Sequence, residues 1–338
     1  MTLTRGARIT GAVLSAVLAL IVAGWIVRDV QIVGDPLRLL RYWAGLGGIR
    51  PGISPGDFPA TGQSEAVLLV VYLLVVAAAL RSPVAASALV ATGIVTVVLR
   101  LPGLWTLGSS WMEGRYADGL RTRAMICTFV ALAAGLALIV TGAAGRRPVE
   151  GRFEQRPGRP GRGASATAFL ALSAAGAVLA AWEVRRFIAV SPSGYREWLL
   201  GGWSTPMVLT VAPPGWDNVT LAVLCLVVAF TALFHAVHAR PLGMIAAGLL
   251  LGTGGLGVDR FVRHGELLRF GEMGAETQLM VVSSFLLAFA GAAGLTALAG
   301  RGAEEEGQGY AAGPGGYGYP PQGGGFGPPP PSSPPPNW

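Results

Sequence analysis

The sequence predicts an all-α polytopic membrane protein of about eight transmembrane helices, arranged as two parallel four-helix repeats. Three observations predict it. Hydrophobic residues make up 52% of the 338 residues, charged ones only 13%, and mean hydropathy is +0.55. The apolar residues gather into stretches of about 15 to 23, the length that crosses a hydrocarbon core of about 30 Å at about 1.5 Å per helical residue. A set of short motifs also recurs in order, 155 to 160 residues after its first occurrence.

The spans are expected at roughly 9–27, 66–80, 83–99, 124–141, 166–188, 219–235, 242–258 and 279–298. The first follows Arg5 and Arg8, as a signal peptide would, but no small-x-small cleavage motif comes after it. Its counterpart in the second half is internal, so it reads as a retained span. Only Arg81 and Ser82, ahead of Pro83, join the second span to the third, and the residues from His238 to Pro241 join the sixth to the seventh. Both connections read as tight helical hairpins.

The repeat is carried by matched pairs. Trp25-Ile-Val-Arg28 ends the first span and Trp182-Glu-Val-Arg185 the fifth. Arg41-Tyr-Trp43 with Gly47 answers Arg196-Glu-Trp198 with Gly202, Pro83 answers Pro241, and Arg100 answers Arg260. The last span of each half opens on Phe129 or Phe285 and closes at Gly142 or Gly300. Collinear matches at a nearly constant offset imply duplication. An even number of spans per unit makes both units enter from the same side, related by a pseudo-twofold axis along the membrane normal.

This organisation divides the chain into an N-terminus (1–8), a first repeat (9–142), a linker (143–165), a second repeat (166–300) and a tail (301–338). The linker carries six Arg among Pro and Gly. The tail follows an acidic patch at 304–306 with Gly, Pro, Tyr and Gln, a composition that buries too little apolar surface to offset ordering entropy, so it is expected to be disordered. Its proline runs suit docking as polyproline II or service as a plain spacer.

All 25 basic side chains are Arg. With so much Ala, Gly, Val and Leu, this points to a high-G+C bacterial genome and a bacterial plasma membrane. The Arg residues border apolar spans, which indicates anionic lipid headgroups rather than nucleic acid as their partner. The dense Arg cluster in the linker places both termini in the cytoplasm. A raw count opposes this, because 14 Arg lie in the opposite loops, interleaved there with 13 acids over a longer stretch. Those outer loops are expected to hold short interfacial helices. Asp35 and Pro36 give one a start signal, and residues 193–200 are its partner.

No P-loop, Gly-x-Ser-x-Gly or His-Glu-x-x-His motif is present, and no cofactor is called for. Gly252-Thr-Gly254-Gly-Leu-Gly257 lies in an apolar span with no strand before it, so its glycines are expected to let helices approach closely. Cys127 and Cys225 both fall in apolar stretches and make neither a disulfide framework nor a closed zinc site. His235 and His238, at helical spacing on one face, lack the further ligand a metal site needs. The span interiors lack ionisable residues, which counts against a proton-coupled carrier. Asp29, Glu113, Glu183, Asp259, Glu266 and Glu272 share the outer loops with Arg and are expected to pair with it.

The candidate site is the set of four recurring arginines, Arg28, Arg100, Arg185 and Arg260, at the outer ends of spans. Guanidinium binds phosphate or carboxylate bidentately, so the set suits an anionic lipid headgroup. The alternative is interfacial anchoring beside the aromatic residues Trp25, Trp43, Trp182 and Trp198. Three functions fit. The first is a non-catalytic membrane protein binding a partner or anionic lipid through its outer loops. The second is a transporter or channel with a pathway between the repeats. The third is an outer-leaflet enzyme acting on a lipid-linked substrate.

Overall fold

The computed structural model describes residues 2–45, 58–82, 85–147, 161–205, 207–236 and 238–300. Gly47, Pro83, the centre of the basic linker and the tail with its acidic patch lie outside the described residues. Eight of the described helices are long and apolar enough to cross a membrane. They are α1 (Arg5–Val33), α3 (Gln63–Arg81), α4 (Ala86–Arg100, prolonged by the single turn α5, Gly103–Thr106), α6 (Asp118–Ala144), α7 (Arg162–Ala189), α9 (Pro214–Leu233), α10 (Ala239–Arg263) and α11 (Ala275–Ala299). The chain is thus an all-α polytopic membrane protein. The helices outrun the apolar stretches that announce them: α1 has 29 residues, about 43 Å, against a core of about 30 Å. Hydropathy marks where a helix lies in hydrocarbon, whereas the helix itself continues through Arg5 and Arg8 at one end and Arg28 and Asp29 at the other.

Two shorter helices stand in the expected loops. In α2 (Pro36–Trp43), Asp35 caps the start by accepting from Leu37 N at 3.0 Å, and Pro36 fills the first position. Leu39 of this helix is buried against the bundle while Leu37 and Leu40 are exposed. In α8 (Pro192–Leu200), Ser191 accepts from Gly194 N at 3.2 Å and Pro192 again takes the first turn. Its start lies one residue before the expected one.

The sixth-to-seventh connection differs from expectation. α9 ends at Leu233, and Pro241 does not break the hairpin but sits in the first turn of α10, where its missing N–H has no intrahelical partner to lose. Phe234, His235, Ala236 and His238 therefore lie between the two helices. His235 takes a left-handed φ of 53° there, so the two histidines do not share a helix face.

In the first half α1 packs on α3 and α6, and α4 on α6; in the second, α7 packs on α9 and α11, and α10 on α11. First span meets second, first meets fourth and third meets fourth in both halves. The halves join where α3 and α4 meet α9 and α10. The third and fourth spans close on glycine in each half. A methyl group on Gly93 would lie 2.5 Å from Gly135 O, and one on Gly254 would lie 2.2 Å from Ala288 N. The glycine-rich stretch of α10 is thus a packing face, as small residues are between membrane helices.

At the face holding the N-terminus, Thr2–Leu3 (β1) pairs antiparallel with Arg146–Arg147 (β2), and Thr4 N donates to Gly145 O at 3.0 Å. Arg8 donates to Ala79 O at 2.9 Å and to Leu80 O. Arg240 donates to Leu298 O at 2.8 Å, Ala299 O at 3.1 Å and Gly300 O at 2.6 Å. These two arginines satisfy the orphan carbonyls at the ends of α3 and α11, where the helix dipole also favours a cation.

Neighbouring glycines of α10 give a direct test. Gly254→Ala is expected to cost about 1–3 kcal/mol, seen as a lower Tm in detergent, because the new methyl meets backbone. Gly255 has open space around it, so Gly255→Ala is expected to leave Tm near wild type. Equal shifts would mean that Gly254 does not set the α10–α11 approach.

Candidate functional site

The end of the bundle opposite the N-terminus carries a structured cap. It begins with two carboxylates near the ends of the first spans. Asp29, fully buried, accepts from Ala60 N at 2.8 Å, Thr61 N at 2.7 Å, Thr61 Oγ1 at 2.6 Å and Arg28 Nη1 at 2.7 Å. Glu183, also buried, accepts from Asn218 Nδ2 at 3.1 Å and Trp198 Nε1 at 3.3 Å, with Tyr195 OH at 3.5 Å. In each half a first-span carboxylate therefore holds the start of the second span. A buried carboxylate demands such donors, so each of these residues fixes a loop to a helix.

The third span adds a buried ion pair. Arg100, the last residue of α4, bonds Glu65 of α3 through two parallel bonds, Nη1 to Oε1 at 2.8 Å and Nη2 to Oε2 at 2.7 Å. The same Nη1 reaches into the second half, donating to Thr210 O at 2.6 Å. Thr210 returns the link, its N and Oγ1 donating to Ala60 O at 2.9 and 2.8 Å. Arg115 donates to Trp203 O at 2.6 Å and Thr205 O at 3.1 Å, Trp105 Nε1 to Leu200 O at 2.9 Å, and Trp216 Nε1 to Val98 O at 2.9 Å. Beneath these bonds Ala60, Leu107, Met112, Tyr116 and Leu209 form a separate apolar core. Tyr116 OH donates to Pro59 O at 3.2 Å, and burial pushes its hydroxyl well above the usual tyrosine range, so it stays a neutral donor. The loops of the two halves thus make one unit.

Just inside the cap, a small cleft opens in the seam between halves. It is lined by Gln63, Ser64, Asp217, Thr220 and Thr253, with Val67, Leu99, Leu221 and Leu249 completing its wall. Gln63 Nε2 donates to Thr253 Oγ1 at 2.9 Å, bridging the halves. Its free space, about 10 Å³, is room for roughly one water molecule. Further along the same helices Leu68, Leu89, Leu224 and Ala246 belong to one buried apolar cluster.

The four recurring arginines fall into two kinds. Arg28 and Arg100 turn inward, the first to Asp29 and to Phe58 O at 3.1 Å, the second to Glu65. Arg185 and Arg260 stand at the surface. Arg185 pairs with Glu276 at 2.7 Å, both about half exposed, and lies 5.4 Å from the Trp182 ring centre. Arg260 is exposed, 5.8 Å from the Phe261 ring centre. Of the aromatics, Trp25 packs on the cap core, Trp182 Nε1 donates to Ser283 Oγ at 2.9 Å, and Trp198 lies under Arg186 at 3.8 Å. Trp43 Nε1 is buried without a partner among the described residues. Sequence reasoning passed over Glu65, Asp217, Gln63, Thr210 and Thr253. The available signal was an acid directly before, or at the entrance of, an apolar run, which Glu65 and Asp217 both provide.

The buried pair gives a stability test. Arg100→Gln leaves Glu65 charged and unpaired, an expected loss of about 3–5 kcal/mol measured as thermal unfolding in detergent. Replacing both, Arg100→Met with Glu65→Leu, is expected to recover most of that loss. A double variant as unstable as the single one would show that the ion pair is needed for more than mutual neutralisation. The chain matches no protein-family model, no curated protein and no solved structure, so its function rests on this geometry.

Proposed function

We propose that this chain is a non-catalytic membrane protein that presents a fixed recognition surface, its cap, to a partner outside the bilayer. The carrying observation is that the outer loops of both halves share one hydrogen-bonded unit, with Arg115 of the first half holding Trp203 and Thr205 of the second. Binding residues are characteristically displayed on loops that a rigid scaffold positions. The cap displays Trp203, 64% exposed, and also exposes Leu104 and Trp105. Anionic lipid headgroups are the second partner in this reading, met at the surface by Arg185 and Arg260. The cap faces away from the cytoplasm of a bacterial plasma membrane, with both termini, the basic linker and the tail inside. Two parallel repeats, related by a pseudo-twofold axis along the membrane normal, account for the same span pairs meeting in each half.

A second reading, transport between the repeats, draws support from one observation, the small cleft in the seam with Gln63, Asp217 and Thr253 in its wall. Its size for a single water and the apolar cluster further along the same helices favour the recognition reading.

Site-specific photo-crosslinking in native membranes tests the proposal. A crosslinker at Trp203 is expected to give one discrete adduct that Arg115→Ala removes, while one at Phe234, exposed on the opposite face, gives none. Equal adducts from both faces would contradict it. For the lipid, native mass spectrometry of wild type is expected to show retained anionic lipid that Arg185→Gln with Arg260→Gln loses. Unchanged spectra would leave those arginines as anchors.

A further inference from the structure

We infer that the seam cleft is a binding site for one small monovalent metal cation of the Na⁺ class, with Asp217 as its charged ligand. Asp217 lies in the first turn of α9 and opens into the cleft. Its carboxylate makes no hydrogen bond or ion pair among the described residues. Glu266 shares this trait, with one carboxylate oxygen buried and unpartnered, but Asp217 is the carboxylate that lines the seam cleft. Asp29, Glu183 and Glu65 have the partners given above, Glu197 accepts from Ser204 N at 3.0 Å, and Asp259 pairs with Arg263 at 2.8 Å.

Charge and ligand type narrow the occupant. Asp217 is within electrostatic reach of Glu65, whose charge is already matched by Arg100. With Arg100 committed to Glu65, no described cation pairs with Asp217, in a membrane-embedded bundle where an ionisable group ordinarily marks a functional site. The polar residues lining the cleft with it are Ser64, Thr220, Thr253 and Gln63, whose side chains offer hydroxyl and amide oxygens. Gln63 spends an N–H on Thr253, which leaves its carbonyl oxygen as an acceptor. An all-oxygen set selects hard cations over transition metals. Calcium sites gather several carboxylates, whereas a single free one matches a single positive charge. Room for about one water admits a dehydrated alkali ion and excludes an organic cation. A first-turn Asp also favours the helix dipole, but that role does not call for polar residues from α3 and α10 to line the same cleft.

The ligand-bearing helices come from both halves, so an ion held there clamps the seam. This inference does not depend on the cap having a partner. Thermal unfolding of the purified full chain tests it, in NaCl, KCl, LiCl and choline chloride at equal ionic strength. Na⁺ is expected to raise Tm by a few degrees over choline, saturably. Asp217→Asn abolishes the rise, and Thr253→Val moves its midpoint to at least about tenfold higher Na⁺. Equal Tm in all four salts for wild type overturns the proposal without recourse to any variant. So does a rise produced by acid alone with no dependence on alkali ion, which would assign the carboxylate a proton.

Discussion

A guanidinium and a carboxylate removed from water each lose several kcal/mol of hydration, recovered only by close pairing and further donors and acceptors. Arg100 and Glu65 meet that demand at the cap end of the first half, and in doing so fix how α4 is rotated against α3. Arg100 has a further N–H to place, and it goes to Thr210 O in the second half. Thr210 bonds Ala60 O, and Ala60 N is held by Asp29. A continuous run of polar contacts thus leads from the end of α1 to the end of α4 by way of a loop belonging to the other half. The cap follows from the need to satisfy these groups.

The spans, the two interfacial helices and the packing role of the α10 glycines were legible in the sequence. Each depends on a local signal: an apolar run of membrane length, an Asp35-Pro36 start whose counterpart falls at 193–200, a cluster of small residues. The pairing of Glu65 with Arg100 was not legible, although Arg100 itself stood out by its recurrence. Which residues meet across two helices depends on how each is rotated, and a helix that is apolar all round carries no stripe to show its inward side. For the same reason Asp217 and Thr253 gave no sign of lining one cleft, being 36 residues apart on different helices. Pro241 misled because a proline ends a helix or starts one, and only the backbone decides which.

The four recurring arginines stand in different settings. Arg28 and Arg100 are structural members of the cap, whereas Arg185 and Arg260 remain at the surface. The first half thus supplies the fixed frame, and the second supplies both the loop that completes it and the surface arginines at its rim, Arg185 paired with Glu276. At the opposite face Arg8 and Arg240 bind helix-terminal carbonyls. Their position is explained by the helix ends they close, and that role is separate from any in setting orientation.

Amide hydrogen exchange tests most directly whether the loops of both halves form one cooperative unit. The segments to follow are 58–62 and 207–213, in wild type and in Asp29→Asn, a substitution that touches only the first. Slow exchange of both segments in wild type, and faster exchange of both together in the variant, is the expected result. Acceleration confined to 58–62, with 207–213 unchanged, would contradict a shared cap and leave the halves as separately closed units.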